Sequence, residues 1–274
     1  MTTTRIDADP ALVALADALN AAEETGSPVP PPSAGRELTL DEAYTVQRVN
    51  IARRLDAGER IVGRKIGLTS LAMQRQLGVD QPDFGVVTDA MVIPDGGELD
   101  ARMLIAPRAE AEFAFRIGRD LPPLPSADEL WDAIDGVALS IEIIDSRVAD
   151  WKISLVDTVA DNASSARIVY GEILPATPEL LASLPAQVIS MTRNGDEVAA
   201  GPGSAVLGDP LVALQWLARA IGGFGDAFAA GDIVLAGAVA AAVPLAAGDV
   251  FAATAAGFAP VSVSVSAETP AARG

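Results

Sequence analysis

Pro107-Arg108-Ala109-Glu110-Ala111-Glu112-Phe113-Ala114-Phe115 alternates in the manner of a β-strand, whose successive side chains point to opposite faces. Read so, Glu110 and Glu112 share one side, and Ala111, Phe113 and Phe115 take the other. Two like charges on one face repel unless something compensates them. A third carboxylate, Glu142, sits in Val137-Ala138-Leu139-Ser140-Ile141-Glu142-Ile143-Ile144, an apolar setting for a charge. Carboxylates that converge inside a fold are paired with a cation or a metal. Glu110, Glu112 and Glu142 are therefore candidate ligands for a hard divalent ion. The same spacing also fits a plain strand face turned to water.

Composition narrows the chemistry. The chain has 274 residues, half of them hydrophobic, enough for one large domain or two unequal ones. Its net charge of −18, from 37 acidic and 19 basic residues, argues against a nucleic-acid partner, which would need a basic footprint. There is no cysteine, which excludes disulfides, thiolate nucleophiles and sulfur-ligated zinc. Histidine is also absent, which removes Ser-His-Asp chemistry and the common transition-metal ligand. Any metal site must be rich in oxygen, favouring Mg2+, Mn2+ or Ca2+. No uncharged apolar run is long enough to suggest a membrane span. The first residues lack the pattern of a secretory signal, so a cytoplasmic location is the expectation.

Outward from the glutamates, the pattern predicts a helical region over residues 1–59, a β-rich body over 60–266 and a frayed tail over 267–274. A first helix is expected over Pro10–Glu24, then a proline-rich connector, then a second helix. Thr39 and Glu42 supply the capping box of that second helix. The body opens with a strand from Arg60 into a loop, and a short helix over Ser70–Leu77 stopped by Gly78. Asp80–Gly85 reads as turn-rich and Val86–Ile93 as a strand. Further on, Ser126 and Glu129 cap a helix to about Ile134, Val137–Ile144 is a strand, and Asp145–Ser165 is a long polar loop. Asn194-Gly195 marks a hairpin, and Asp209-Pro210 starts a helix running to about Gly222. The segments near 232, 249 and 261 read as strands.

Three further places could carry chemistry. Lys65, at the junction between an apolar strand and a loop, could be partly buried with a lowered pKa, or could be an exposed strand-end lysine. Arg64 would point to the opposite face. Asp83 in Pro82-Asp83-Phe84-Gly85 could act on a proton or simply bond its own turn. Asn162 and Ser164 could orient a substrate carboxylate or cap their own loop.

Taken together, several phrases are more specific than any one of them. They are Val62-Gly-Arg-Lys-Ile-Gly-Leu-Thr69, Gln76-Leu-Gly-Val-Asp-Gln-Pro-Asp-Phe-Gly85, Pro107–Glu112, Ile141-Glu142 with Asp150-Trp151, and Val156–Ser164. In this order they resemble the 2-keto-4-pentenoate hydratase family of the fumarylacetoacetate hydrolase superfamily, over roughly residues 40–266. The resemblance implies an α+β fold, with a mixed β-roll or sandwich body and a small N-terminal helical region. It implies Mg2+ or Mn2+ on Glu110, Glu112 and Glu142, with Lys65 and Asp83 in acid–base roles. Ser164, Leu77 and Lys65 would contact the substrate. The implied reaction is hydration of a 2-hydroxydienoate to a 4-hydroxy-2-oxo acid in meta-cleavage catabolism, by a homo-oligomer that could work beside a downstream aldolase. A 4-oxalocrotonate decarboxylase is the nearest alternative, and a non-catalytic scaffold is a further one. Relatives often carry Gly-His-Pro where Gly208-Asp209-Pro210 stands, and aspartate can cap that helix equally well. The missing histidine argues against the water-activating His–Glu pair of the hydrolytic branch.

Overall fold

The computed structural model describes residues 8–70, 74–75 and 78–266. Helix α1 (Pro10–Thr25) is capped by the Asp9 side chain and ends on Gly26 in the left-handed region. Helix α2 (Leu40–Asp56) begins at the expected Thr39–Glu42 capping box. The buried residues of both helices join the same apolar cluster as the body.

The strands are β1 (Ile61–Gly67), β2 (Asp83–Thr88), β3 (Val92–Ile93), β4 (Glu98–Leu99), β5 (Arg108–Ile117), β6 (Ile134–Ile144) and β7 (Ser165–Tyr170). They are followed by β8 (Leu174–Pro175), β9 (Val188–Arg193), β10 (Asp196–Pro202), β11 (Ile233–Leu235), β12 (Val243–Pro244), β13 (Val250–Thr254) and β14 (Val261–Val265). Among the described residues they form two sheets. The larger runs β2-β1-β11-β5-β6-β7-β3, with β12 on β5 and β8 on β6; the smaller runs β10-β9-β13-β14-β4. Strands β2 and β3 lie at opposite ends of the larger order, yet only the turn Asp89–Met91 separates them in the chain. The larger sheet must therefore curl on itself into a roll.

The roll has two faces of different character. Phe113, Phe115, Leu139 and Ile141 point outward into the main core with Met191, Phe251 and Val263 of the smaller sheet. The helix over Pro210–Gly222, started by Asp209 and Pro210 as expected, packs into that core through Leu214 and Leu217. The inner face carries a smaller apolar cluster of Val87, Met91, Ala114, Ile168, Ile233 and Leu235. The alternation that sent Phe113 out sends Glu110 and Glu112 in.

Several boundaries differ from expectation, each for a local reason. Asp83 is not a turn residue: β2 already starts there, paired with Gly67 of β1, so cross-strand hydrogen bonding overrides the turn preference of Pro-Asp-Phe-Gly. The strand expected over Val86–Ile93 is split by the Asp89–Met91 turn, which lets β3 move across to β7. Helix α3 (Ala127–Trp131) stops early, and Ile134 already belongs to β6, paired with Ile117. The polar stretch after β6 is not one irregular loop, because it contains α4 (Leu155–Ala160). Most of the helix expected over Ser70–Leu77 and the tail over 267–274 fall outside the described residues.

Phe113 is fully buried, with its ring 5.7 Å from that of Phe258. Phe113→Ala should cost about 3–5 kcal/mol, seen as a lower urea midpoint. Val188→Ala, at an exposed position on β9, should stay within about 0.5 kcal/mol.

Candidate metal and catalytic site

Register builds the charged end of the roll. Glu110 on β5 stands directly opposite Glu142 on β6, and Glu112 stands opposite Ser140. Each glutamate offers an oxygen within 4.8 Å of the others. Glu112 and Glu142 are 0% exposed, while Glu110 is half-buried. Glu112 Oε2 accepts a 2.8 Å hydrogen bond from the Gly237 N–H. Oε1 of Glu112 and both side-chain oxygens of Glu142 are buried without a hydrogen-bond donor.

Lys65 comes from the other side of the roll. β1 pairs Lys65 with Leu235 of β11, and β11 pairs Leu235 with Ala114 of β5, so Lys65 shares the inner face with Glu112. It is 3% exposed, and its Nζ lies 3.5 Å from Glu142 Oε1. Asp83, 1% exposed, lies on the same face, opposite Gly67. Its Oδ2 accepts from Thr158 Oγ1 at 3.2 Å, and its Oδ1 is buried without a donor. A methyl group at Gly67 would come within 2.1 Å of Asp83 Oδ1 and 3.3 Å of Lys65 Nζ. Glycine there is what lets the acid and the amine crowd together. Arg64 faces away, as expected, and pairs with Asp226.

The electrostatics follow from four carboxylates facing one ammonium. Burial, and then the charge of Glu142, push Glu110 up to about 7. Burial, Glu142 and Glu110 push Glu112 well above the carboxylate range. Burial also raises Glu142 and Asp83, against the pull of Lys65. Neither the exposed Lys65 nor the lowered pKa considered from sequence is found. Burial does oppose its charge, but Glu142, Asp83, Glu110 and Glu112 together hold the ammonium above its usual range.

Orphaned oxygen acceptors within one small volume fit a hard divalent cation, which would supply the missing positive charge. The donor set is all oxygen, matching the ion class that composition allowed.

The loop after α4 answers the question posed by Asn162. Its side chain pairs with the β2 backbone, accepting from Val86 N at 2.8 Å and donating to Val86 O at 2.9 Å. Ser164 is buried 3.5 Å from Asp161 Oδ2, and Asp161 is gripped by the buried Arg147. Leu77 lies outside the described residues. Four contributors were not singled out from sequence: Gly67, Gly237, Thr158 and the Arg147–Asp161 pair. Thr158, Arg147 and Asp161 all stood in the stretch Asp145–Ser165 already marked as polar, and the two glycines did not.

Residues 64–266 match the family described as Fumarylacetoacetate (FAA) hydrolase C-terminal. The chain is 43% identical to a 2-keto-4-pentenoate hydratase of Paraburkholderia xenovorans (strain LB400), over 86% of this chain and 88% of that one. The chain belongs to the hydratase/decarboxylase family of the fumarylacetoacetate hydrolase superfamily. Another relative, the 2-hydroxyhexa-2,4-dienoate hydratase of Comamonas testosteroni, is 44% identical over 78% of this chain and 82% of its own. Among solved structures, this family member superposes on the 4-oxalocrotonate decarboxylase from Pseudomonas putida G7, complexed with magnesium and adipate. That match has a TM-score of 0.87 and 36% identity, covering 93% of this chain and 97% of that one. The Pseudomonas aeruginosa fumarylpyruvate hydrolase in complex with Mn2+ and pyruvate shares the fold, with a TM-score of 0.60 and 16% identity over 75% of this chain and 89% of that one.

The raised carboxylates set the sign of a pH effect. A glutamate at about 7 in the fold, against an ordinary 4.5, binds its proton more tightly folded than unfolded. Its contribution to stability is full below about 4.5 and is lost as pH rises through about 7. Without divalent ions, Tm should therefore fall between pH 5 and 8 by this group's contribution. Magnesium should restore Tm more at pH 8 than at pH 6. Glu112→Gln should flatten the metal-free profile, read by differential scanning calorimetry.

Proposed function

We propose that the protein is a divalent-metal-dependent hydratase converting 2-hydroxypenta-2,4-dienoate, or a substituted analogue, to a 4-hydroxy-2-oxo acid. The observation that carries this is the cluster of Glu110, Glu112 and Glu142, with orphaned oxygens, beside the buried Lys65 and Asp83. The names and identities of the hydratase relatives support it.

Mg2+ or Mn2+ would be held by Glu110, Glu112 and Glu142. When bound, the ion would supply Lewis acidity to the carboxylate and 2-oxygen of a chelating substrate. Lys65 holds a proton that the surrounding carboxylates keep on it. Once those carboxylates are neutralised, burial dominates and the proton becomes transferable. Lys65 gives it to carbon C5 and regains a proton from the 2-hydroxyl group, which yields the conjugated 2-oxo-3-enoate. Asp83 then takes a proton from water through its unpartnered Oδ1 while the water oxygen bonds to C4. Lys65 supplies the proton that completes C3. Proton exchange between Lys65 and Asp83 across Gly67 resets both groups. Ser164 and Leu77 are assigned to the substrate in the same reading, and the helical region over 1–59 to a cap on the catalytic body. The product, a 4-hydroxy-2-oxo acid, is an aldol, so an aldolase would act next.

The likeness to a 4-oxalocrotonate decarboxylase supports a second reading, in which the same ion and Lys65 stabilise the enolate left by loss of CO2. Incubation with each substrate separates the two: loss of dienoate absorbance without CO2 is expected, and CO2 from 4-oxalocrotonate would replace the hydratase reading. Lys65→Ala and Asp83→Asn should each lower kcat by about 10²–10⁴-fold while magnesium still binds by calorimetry. Glu142→Gln should abolish magnesium binding and activity together. Turnover that survives exhaustive EDTA treatment would refute the three-glutamate site.

A further inference from the structure

Asp83 starts a strand that has a neighbouring strand on one side only. β2 ends the order of the larger sheet, next to β1, so its outer edge meets side chains instead. Asn162 bonds that edge at Val86. Gln47 of α2 bonds it at Phe84: its Nε2 donates to Phe84 O at 2.9 Å and also to Val159 O at 3.1 Å. Phe84 follows Asp83 in the chain, and Val159 follows Thr158. Gln47 therefore ties together the two segments that meet in the 3.2 Å hydrogen bond from Thr158 to Asp83.

The tie is firmly set. Gln47 is 2% exposed, and an amide buried among the core residues of α2 is costly unless it is bonded. Its NH2 group has two donors, and both carbonyls it faces can only accept, which fixes the orientation of the amide. Tyr44, one turn earlier on the same face of α2, stacks its ring on that of Phe84 with 4.5 Å between centroids. α2 thus holds Phe84 by its carbonyl and by its ring. Little movement is allowed at the neighbouring Asp83, whose Oδ1 fills the space where Gly67 lacks a side chain. With Oδ2 on Thr158, Oδ1 is the oxygen left without a donor.

We propose that Gln47 is a positioning residue for Asp83 in the water-addition step. By tying β2 to α4 it keeps Oδ2 on Thr158 and leaves Oδ1 to accept a proton from water. The step itself rests on the function proposed above. Gln47 has no part in the earlier proton transfer, in which Lys65 delivers a proton to C5 and regains one from the 2-hydroxyl group. Loosening Asp83 therefore separates two steps that otherwise run together. The dienoate still becomes the 2-oxo-3-enoate, an isomerisation with no atom gained or lost, but water adds slowly at C4. The N-terminal helical region becomes a working part of the site through one amide.

The test follows 2-hydroxypenta-2,4-dienoate by NMR in D2O with the magnesium-saturated protein, reading deuterium entry at C5 and formation of the 4-hydroxy-2-oxo acid separately. Gln47→Leu should slow hydration by about 10- to 100-fold, the cost of a small misplacement of a reacting group. Deuterium entry at C5 should stay within about twofold of wild type, so that the 2-oxo-3-enoate accumulates. In an Asp83→Asn background the same change should slow hydration by less than about twofold, because Gln47 acts only through Asp83. Gln47→Asn, one methylene shorter, should fall between wild type and leucine and serves if the leucine variant does not fold. Equal loss of both steps, or effects of Gln47→Leu and Asp83→Asn that multiply in full, overturns the positioning role. The geometry is tested apart from turnover: in a crystal structure of Gln47→Leu, Asp83 should move off Thr158 Oγ1, and an unchanged 3.2 Å contact overturns the proposal. A wild-type protein that does not hydrate the dienoate overturns the hydratase reading instead, and the crystal structure still decides the role of Gln47.

Discussion

Four carboxylates and one ammonium inside a β-roll are the constraint on which the rest depends. Among the described residues, Glu110, Glu112, Glu142 and Asp83 meet only Lys65 as a buried cation on that face. Taking charges out of water costs several kcal/mol per ion unless partners replace the lost solvation. Here the partners are incomplete, and the carboxyl groups respond by holding protons. A fold tolerates this only where a large apolar framework supplies the stability. The outward face of the roll, packed on the smaller sheet and the helices, is that framework.

Backbone shape lets the charges approach one another. Gly67 leaves room for Asp83 Oδ1 where any side chain would collide. Gly237, at φ 109°, turns its N–H toward Glu112, and a methyl group there would meet Thr69 Oγ1 at 2.2 Å. Both glycines exchange conformational freedom for close contact. They couple β1 and the chain after β11 to the two glutamate strands, so the site is assembled by register across five strands rather than by one loop.

That assembly explains what could be read from the sequence. Alternation around Glu110 and Glu112 was legible because it is local, and a period of two survives any tertiary context. The capping boxes at Thr39 and Ser126 and the Asp209-Pro210 helix start were legible for the same reason. Lys65 and Asp83 were not decidable from position, because their burial comes from β11 and α4, far away in the chain. The turn reading of Asp83 stayed open because its strand pairing with Gly67 is invisible in a local window. The roll itself came from resemblance: a period of two does not say which strands are neighbours.

A second buried ion cluster shows that the gaps in the first are not mere tolerance. Arg147 and Asp161 are also buried, yet their contacts are complete. Asp161 accepts from Arg147 Nε at 2.5 Å and from Arg147 N at 3.1 Å. Arg147 also donates to the carbonyls of Asp145, Ser165 and Asp161. The same chain thus closes one charged network and leaves another open a few residues away. Directly after Asp161 come Asn162, Ala163 and Ser164, with φ of 55°, 51° and 54°. Three left-handed residues other than glycine cost about 1–3 kcal/mol each and persist only when overdetermined. The closed pair and the Asn162 bonds to Val86 supply that hold. Strain and rigidity are therefore spent on fixing the Asn162–Ser164 turn between the β2 backbone at Val86 and the closed Arg147–Asp161 pair.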